Sequence, residues 1–128
     1  MIILYKSELD RRYKMRNDYP GIIGKTVCGK IDRPLGSHHP RHPEMVYPIN
    51  YGYVENIFAE DGAEQDIYLF GVNIPVEKFE GRVIAVYRRF DDVEDKWIVA
   101  SGDKDFSDEE ILRQIQFQEQ YFHGEFLR

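Results

Sequence analysis

The sequence predicts a mainly β fold, a small closed or partly closed β-barrel with one α-helix packed on it near the C-terminus. Three observations carry this. Short runs of β-branched and aromatic residues recur between turn signals from residue 22 to residue 100. One of them, Val83-Ile84-Ala85-Val86-Tyr87, is apolar throughout, as a strand buried on both faces requires. The clearest helical signal follows them, starting at Ser107. In a chain of 128 residues these short strands and one helix bury their apolar faces by curling the sheet and covering one side of it.

Each element follows from local composition. Residues 1–21 show no clean period and read as an N-terminal extension, with a helix allowed over 7–15 behind a Ser7 cap and a turn at Asp18-Tyr19-Pro20-Gly21. The domain is residues 22–128. Residues 22–33 suit one or two strands, with Val27, Gly29 and Ile31 alternating with Cys28, Lys30 and Asp32. Pro34-Leu35-Gly36-Ser37 ends that run, and a loop with His38, His39 and His42 follows. Residues 47–54, rich in tyrosine, read as extended. A turn at 60–64 leads into a short strand at 67–70, and 71–81, with Pro75, is a connection. Residues 83–87 and 96–100 form a hairpin around the acidic turn 91–95. Ser107 and Glu110 stand at capping-box spacing, and Asp108, Glu109 and Glu110 place negative charge in the first helical turn. Ile111, Ile115 and Phe122 fall near one face, and Gly124 is suited to end the helix.

Charge and composition narrow the function. Net charge is -6, with nine Lys/Arg against four Asp/Glu in residues 1–42 and eight against nineteen in residues 43–128. Such an acidic balance argues against nucleic acid as the main partner. The single cysteine, Cys28, leaves no disulfide within the chain. The apolar N-terminal run is too short for a signal peptide, and no stretch of about 18 apolar residues is present, so a cytoplasmic protein without a membrane partner is expected.

The carboxylates between 61 and 95 are the main chemical signal. Asp61 and Asp66 flank one turn, and Asp91, Asp92, Glu94 and Asp95 crowd the next. Pairing of strands 67–70 and 83–87 would bring the two turns together. Converging carboxylates repel, and a hard divalent cation neutralises them; solvated turns without an ion are the alternative. Lys30, Arg33, Arg88, Arg89 and Lys96 are candidate phosphate contacts, because cations take up charge on phosphoryl oxygens. Of Tyr51 and Tyr53, one is expected to pack and the other to offer its hydroxyl to a ligand.

In these residues the chain resembles the soluble, family I inorganic pyrophosphatases. The resemblance rests on Tyr47-Pro-Ile-Asn-Tyr-Gly-Tyr53, Asp61-Gly-Ala-Glu-Gln-Asp66, Val83-Ile-Ala-Val86 followed by Asp91-Asp-Val-Glu-Asp-Lys96, and Phe117-Gln-Glu-Gln-Tyr121, all in family order. It implies an OB-like five-stranded β-barrel and Mg²⁺-dependent hydrolysis of pyrophosphate, with Mn²⁺ as an alternative ion. It implies Asp61, Asp66, Asp91 and Asp95 as metal ligands, and Arg33, Tyr51, Lys96 and Tyr121 as substrate contacts. Asp66 and Glu64 are the candidate catalytic carboxylates. The family also implies a homo-oligomer.

The chain departs from the family pattern in that the family's early Lys-x-Glu strand has no counterpart and the acidic hairpin is a residue shorter. Ala63 replaces the middle aspartate of the Asp-Gly-Asp turn, Phe122 replaces the lysine after the helical tyrosine, and the loop 36–43 is extra. His38 and His42 in that loop suit a transition metal or, with Arg41, a phosphate; an ordered surface loop is the alternative. Hydrolysis of another phosphoanhydride or nucleotide, or binding of phosphate compounds or a protein partner with weak catalysis, are the other functions the departures allow.

Overall fold

The computed structural model describes residues 21–58, 62–90 and 95–128. The helix expected over 7–15, the start of the turn at 18–21, and Asp61 and Asp91 lie outside them. The elements are β1 (Thr26–Arg33), β2 (Asn50–Phe58), β3 (Glu64–Phe70), β4 (Lys78–Arg89), β5 (Asp95–Ala100), α1 (Asp108–Glu119) and β6 (Gly124–Leu127). Strand order is β1-β2-β3-β5-β4-β6, and β1 also pairs with β4. That pairing closes β1 to β5 into the expected barrel. The contacts are antiparallel except β3 with β5, so the barrel is mixed.

One expected pairing does not form. β3 and β4 are not neighbours, because β5 lies between them. β4 and β5 do form the hairpin, with Val86 opposite Trp97 and Arg88 opposite Asp95. The free edge of β5 then takes β3 in parallel, which sends the connection 71–77 across the barrel before β4 begins. Gly124 also has another role than expected. The helix ends at Glu119, and Gly124 opens β6, which pairs with the end of β4 opposite Arg89.

Alternation along the strands divides the core into two layers. Val27, Val54, Ile67, Val83 and Trp97 come from five strands and meet in one cluster, the barrel interior. Tyr51, Tyr68, Ile84 and Ile98 face the other way and are covered by Ile111 and Ile115 of α1. Both isoleucines are fully buried. Each contributes about 1.5–3 kcal/mol relative to an exposed side chain. The capping box is formed, Ser107 Oγ accepting from Glu110 N at 3.2 Å and Glu110 Oε1 accepting from Ser107 N at 3.0 Å. At Gly52 a Cβ would strike the backbone of Lys30 and Ile31, so β1 and β2 approach closely only because this position has no side chain.

Candidate active site

The outward face of the barrel carries the functional groups. Asp66 immediately precedes Ile67 on β3, and Lys96 precedes Trp97 on β5; Ile67 and Trp97 are partners across the parallel ladder. Asp66 and Lys96 therefore project from adjacent strands to the same side. Lys96 Nζ donates to Asp66 Oδ2 at 2.7 Å and to the Tyr51 hydroxyl at 2.8 Å. Lys96 is 2% exposed, and a buried ammonium requires such hydrogen-bond partners. Burial pushes the Tyr51 phenol well above its usual range, and the nearby Lys96 only partly opposes this, so the hydroxyl stays protonated.

These three residues sit in a cleft of about 560 Å³ that Arg33, Arg89, Tyr121 and Phe122 also line. Arg33 is the last residue of β1, beyond a register shift between Ile31 and Arg33 that turns the strand end. Its guanidinium donates to the Tyr47 hydroxyl and lies 5.6 Å from the ring centroids of both Tyr47 and Tyr51. Burial alone would lower its pKa, but the Tyr47 hydrogen bond and the neighbouring phenols raise it overall, so Arg33 is fully charged. No carboxylate pairs with Arg33 among the described residues, which leaves a cation facing the cleft whose natural complement is an anion.

The loop 36–43 forms part of the wall through His39 and His42, and Glu44 and Met45 just after it line the same cleft. His39 stacks on Tyr47 at 6.2 Å between centroids, and its Nδ1 accepts from Arg41 N at 3.0 Å. The proton of neutral His39 is therefore on Nε2. Burial and then the Arg33 charge hold its pKa below the usual histidine value. His38 Nδ1 lies 2.6 Å from the Pro43 carbonyl, and His42 lies 3.8 Å from Glu44. The two histidines weighed as a metal pair thus have separate neighbours, the Pro43 carbonyl and Glu44.

The remaining expected site residues are placed less centrally. Tyr121, 68% exposed, stands on the rim. Glu64 is not among the residues that line the cleft; its Oε2 accepts from Asn56 N at 2.9 Å, where Asn56 has φ 63. Asp95 is buried, and the pleat turns it to the face of Trp97 and Val99, opposite to Lys96. Asp66 is the expected metal ligand that the described residues place in the cleft. Among the described residues no group of three or more His, Cys, Asp or Glu is arranged to hold a metal ion. Asp66 supplies a hard oxygen donor suited to such an ion, and Asp61 and Asp91 lie outside the described residues.

Three functional residues escaped the sequence reading. Gln118 and Glu119, in the last turn of α1, are 8% and 1% exposed, and Tyr68 beneath them is fully buried. Arg89 makes a two-pronged ion pair with Glu119, Nε to Oε1 at 2.8 Å and Nη2 to Oε2 at 2.9 Å. The same guanidinium lies 3.6 Å from the centroid of Phe122. A cation is thus set over the position where the family resemblance expects a lysine. The sequence did hold a signal: Glu119 continues the Ile111, Ile115 stripe at the next i+4 position, where a charge is buried and must be paired.

A family model described as inorganic pyrophosphatase matches residues 6–123, beginning inside the stretch read as an extension. No curated protein sequence matches. Among solved structures, the chain is similar to an inorganic pyrophosphatase from Neisseria gonorrhoeae (TM-score 0.59, 21% identity, covering 93% of this chain and 79% of that one). It is similar also to one from Ehrlichia chaffeensis (0.61, 17%, 80% and 85%) and one from Helicobacter pylori (0.59, 19%, 80% and 84%). At these identities the structural likeness speaks for the fold, and the family match over nearly the whole chain speaks for descent. The chain belongs to the inorganic pyrophosphatase family of hydrolases, on a closed five-stranded mixed barrel.

Proposed function

We propose that the cleft hydrolyses inorganic pyrophosphate to two phosphates in a Mg²⁺-dependent reaction, with Mn²⁺ as an alternative. The observation that carries this reading is the convergence of Asp66, Lys96, Tyr51 and Arg33 on one cleft. Arg33 and Lys96 neutralise phosphoryl oxygens and the charge that develops on the leaving phosphate. The hydroxyls of Tyr51 and, at the rim, Tyr121 donate hydrogen bonds to the substrate. Asp66, with Asp61, Asp91 and Asp95, makes up the proposed metal-ligand set. Asp95 serves there only if its side chain leaves the Trp97 face. When bound, Mg²⁺ polarises phosphoryl oxygens and lowers the pKa of a water.

Asp66 and Glu64 are the carboxylates proposed to orient that water. Glu64 Oε2 is engaged by the Asn56 amide, and Glu64 is not among the residues lining the cleft. This engagement, together with Ala63, favours as second reading a slow hydrolase or a phosphate-binding relative. The working form is proposed to be a cytoplasmic homo-oligomer without nucleic-acid or membrane partners; the net charge of -6 supports the absence of nucleic acid. The test is phosphate release from pyrophosphate with Mg²⁺. Turnover by the wild type that falls at least about 10²-fold in Asp66→Asn supports the reading. No turnover above background, or turnover unchanged in that variant, sinks it.

A further inference from the structure

A continuous chain of hydrogen bonds runs under the cleft floor and joins its two arginines. Arg33 Nη1 donates to the Tyr47 hydroxyl. Tyr47 donates to Gln118 Oε1 at 3.0 Å, and Gln118 Nε2 donates to the Tyr68 hydroxyl at 2.6 Å. Tyr68 in turn donates to Glu119 Oε2 at 2.6 Å. From the other side Arg89 donates to both oxygens of Glu119. Every donor in the chain points toward one carboxylate.

The chemistry of each link allows only this order. An ionised carboxylate only accepts, so Tyr68 spends its proton on Glu119 and its oxygen can only accept from Gln118. That fixes the Gln118 amide with its nitrogen toward Tyr68 and its oxygen toward Tyr47. Tyr47 then donates to Gln118 Oε1 and accepts from Arg33. Burial would raise the Glu119 carboxyl, but the Arg89 pair and the Tyr68 hydrogen bond outweigh it and hold its pKa below the usual carboxylate range. The terminal acceptor is therefore ionised. The four linking side chains are at most 8% exposed, so water does not compete within the chain.

We propose that Glu119 is a positioning residue that sets both cleft arginines at once, Arg89 by direct pairing and Arg33 through Tyr68, Gln118 and Tyr47. The proposal rests on the reading that the cleft binds phosphate. It adds that the anion meets two cations whose spacing is fixed from below by one carboxylate. An ordered pair of cations loses less freedom on binding an anion than two independent ones.

The experiment is calorimetric titration of inorganic phosphate and of pyrophosphate into wild type, Tyr68→Phe and Gln118→Leu, each alone and combined with Arg33→Met, with melting temperatures recorded in parallel. Tyr68 is fully buried and cannot touch a ligand, so any effect of its hydroxyl on affinity is transmitted. Tyr68→Phe and Gln118→Leu are each expected to weaken binding by about three- to tenfold. Most of that weakening is expected to vanish in the Arg33→Met background, because the relay then has nothing to position at that end. Loss of melting temperature with unchanged affinity, or equal weakening in both backgrounds, shows a structural role only and overturns the proposal. Wild type that binds neither phosphate nor pyrophosphate overturns the underlying reading as well, and does so before any variant is measured.

Discussion

Lys96 Nζ stands 2.7 Å from Asp66 Oδ2, and the two residues occupy matching positions on the parallel strands β3 and β5. The Lys96 side chain is 3% exposed and that of Asp66 is 32% exposed. The lysine is thus anchored in the barrel wall while the carboxylate keeps one side toward the cleft. Removing the ammonium leaves Asp66 and Tyr51 without this donor. Lys96→Met is therefore expected to lower kcat/KM for pyrophosphate by about 10²-fold or more. Steady-state kinetics of phosphate release checks this.

The Arg89–Glu119 pair is the most deeply buried ion pair in the described residues, with side chains 4% and 0% exposed. Truncating one partner strands the other charge. Arg89→Met is expected to cost about 3–5 kcal/mol of stability. For a chain of this size that lowers Tm by roughly 10–20 °C. The double replacement Arg89→Met with Glu119→Leu is expected to regain much of the loss. Thermal unfolding followed by circular dichroism reads both.

The same pair makes stability pH-dependent. The folded pKa of Glu119 lies below the unfolded value of about 4.3. The stabilisation is thus fully present above about pH 4.3 and is lost as pH falls through the folded pKa. Glu119→Gln is expected to be less stable than wild type at pH 7 and to show a shallower loss of stability on acidification below pH 4. Urea unfolding at several pH values measures the difference in slope.

His39 reports anion binding. Burial and the charge of Arg33 keep its pKa below the usual value. A phosphate placed against Arg33 offsets that charge and favours imidazolium. Saturating phosphate is expected to raise the His39 pKa, seen by NMR titration of its ring protons. No upward movement would place the anion away from Arg33.

Helix capping offers a control outside the cleft. Ser107→Ala removes the oxygen that accepts from Glu110 N, and is expected to cost about 1 kcal/mol. KM for pyrophosphate should not change, since Ser107 touches nothing in the cleft. A raised KM would show that the cleft responds to the far end of α1.

Local patterns were legible in the sequence wherever they were self-sufficient. The strand signals, the β4–β5 hairpin and the helix start each depend on neighbouring residues, and each is formed. The position of β5 between β3 and β4 depends on which free edge a hairpin presents, which no local pattern records. β6 was not visible either: Gly-Glu-Phe-Leu is four residues long and becomes a strand because the long β4 leaves its end open to it. In the cleft, Tyr51, Asp66 and Lys96 were found through motif order, and the strand register brings them together. Asp95 and Lys96 were named together, yet adjacent residues on a strand face opposite ways. Gln118 and Glu119 were quoted only within Phe117-Gln-Glu-Gln-Tyr121 and given no role of their own, although their spacing from Ile115 puts them against the buried Tyr47 and Tyr68.

The last turn of α1 ends at this floor, while its first turns are fastened to the barrel by Ile111 and Ile115 and at the N-terminal end by Arg128, which pairs with Asp105 and Asp108. The barrel closes through strand pairing alone and does not need the helix to complete its ring. Detachment of α1 would take Glu119 away from Arg89 and Tyr68 while the strand ladder persists. Opening of the helix layer ahead of the barrel is expected to remove the Glu119 side of the cleft floor, while Tyr51, Asp66 and Lys96 stay on the strands. At rising denaturant, activity should fade before the β signal does, and amides of the last helical turn should exchange with solvent sooner than those of β3 and β5.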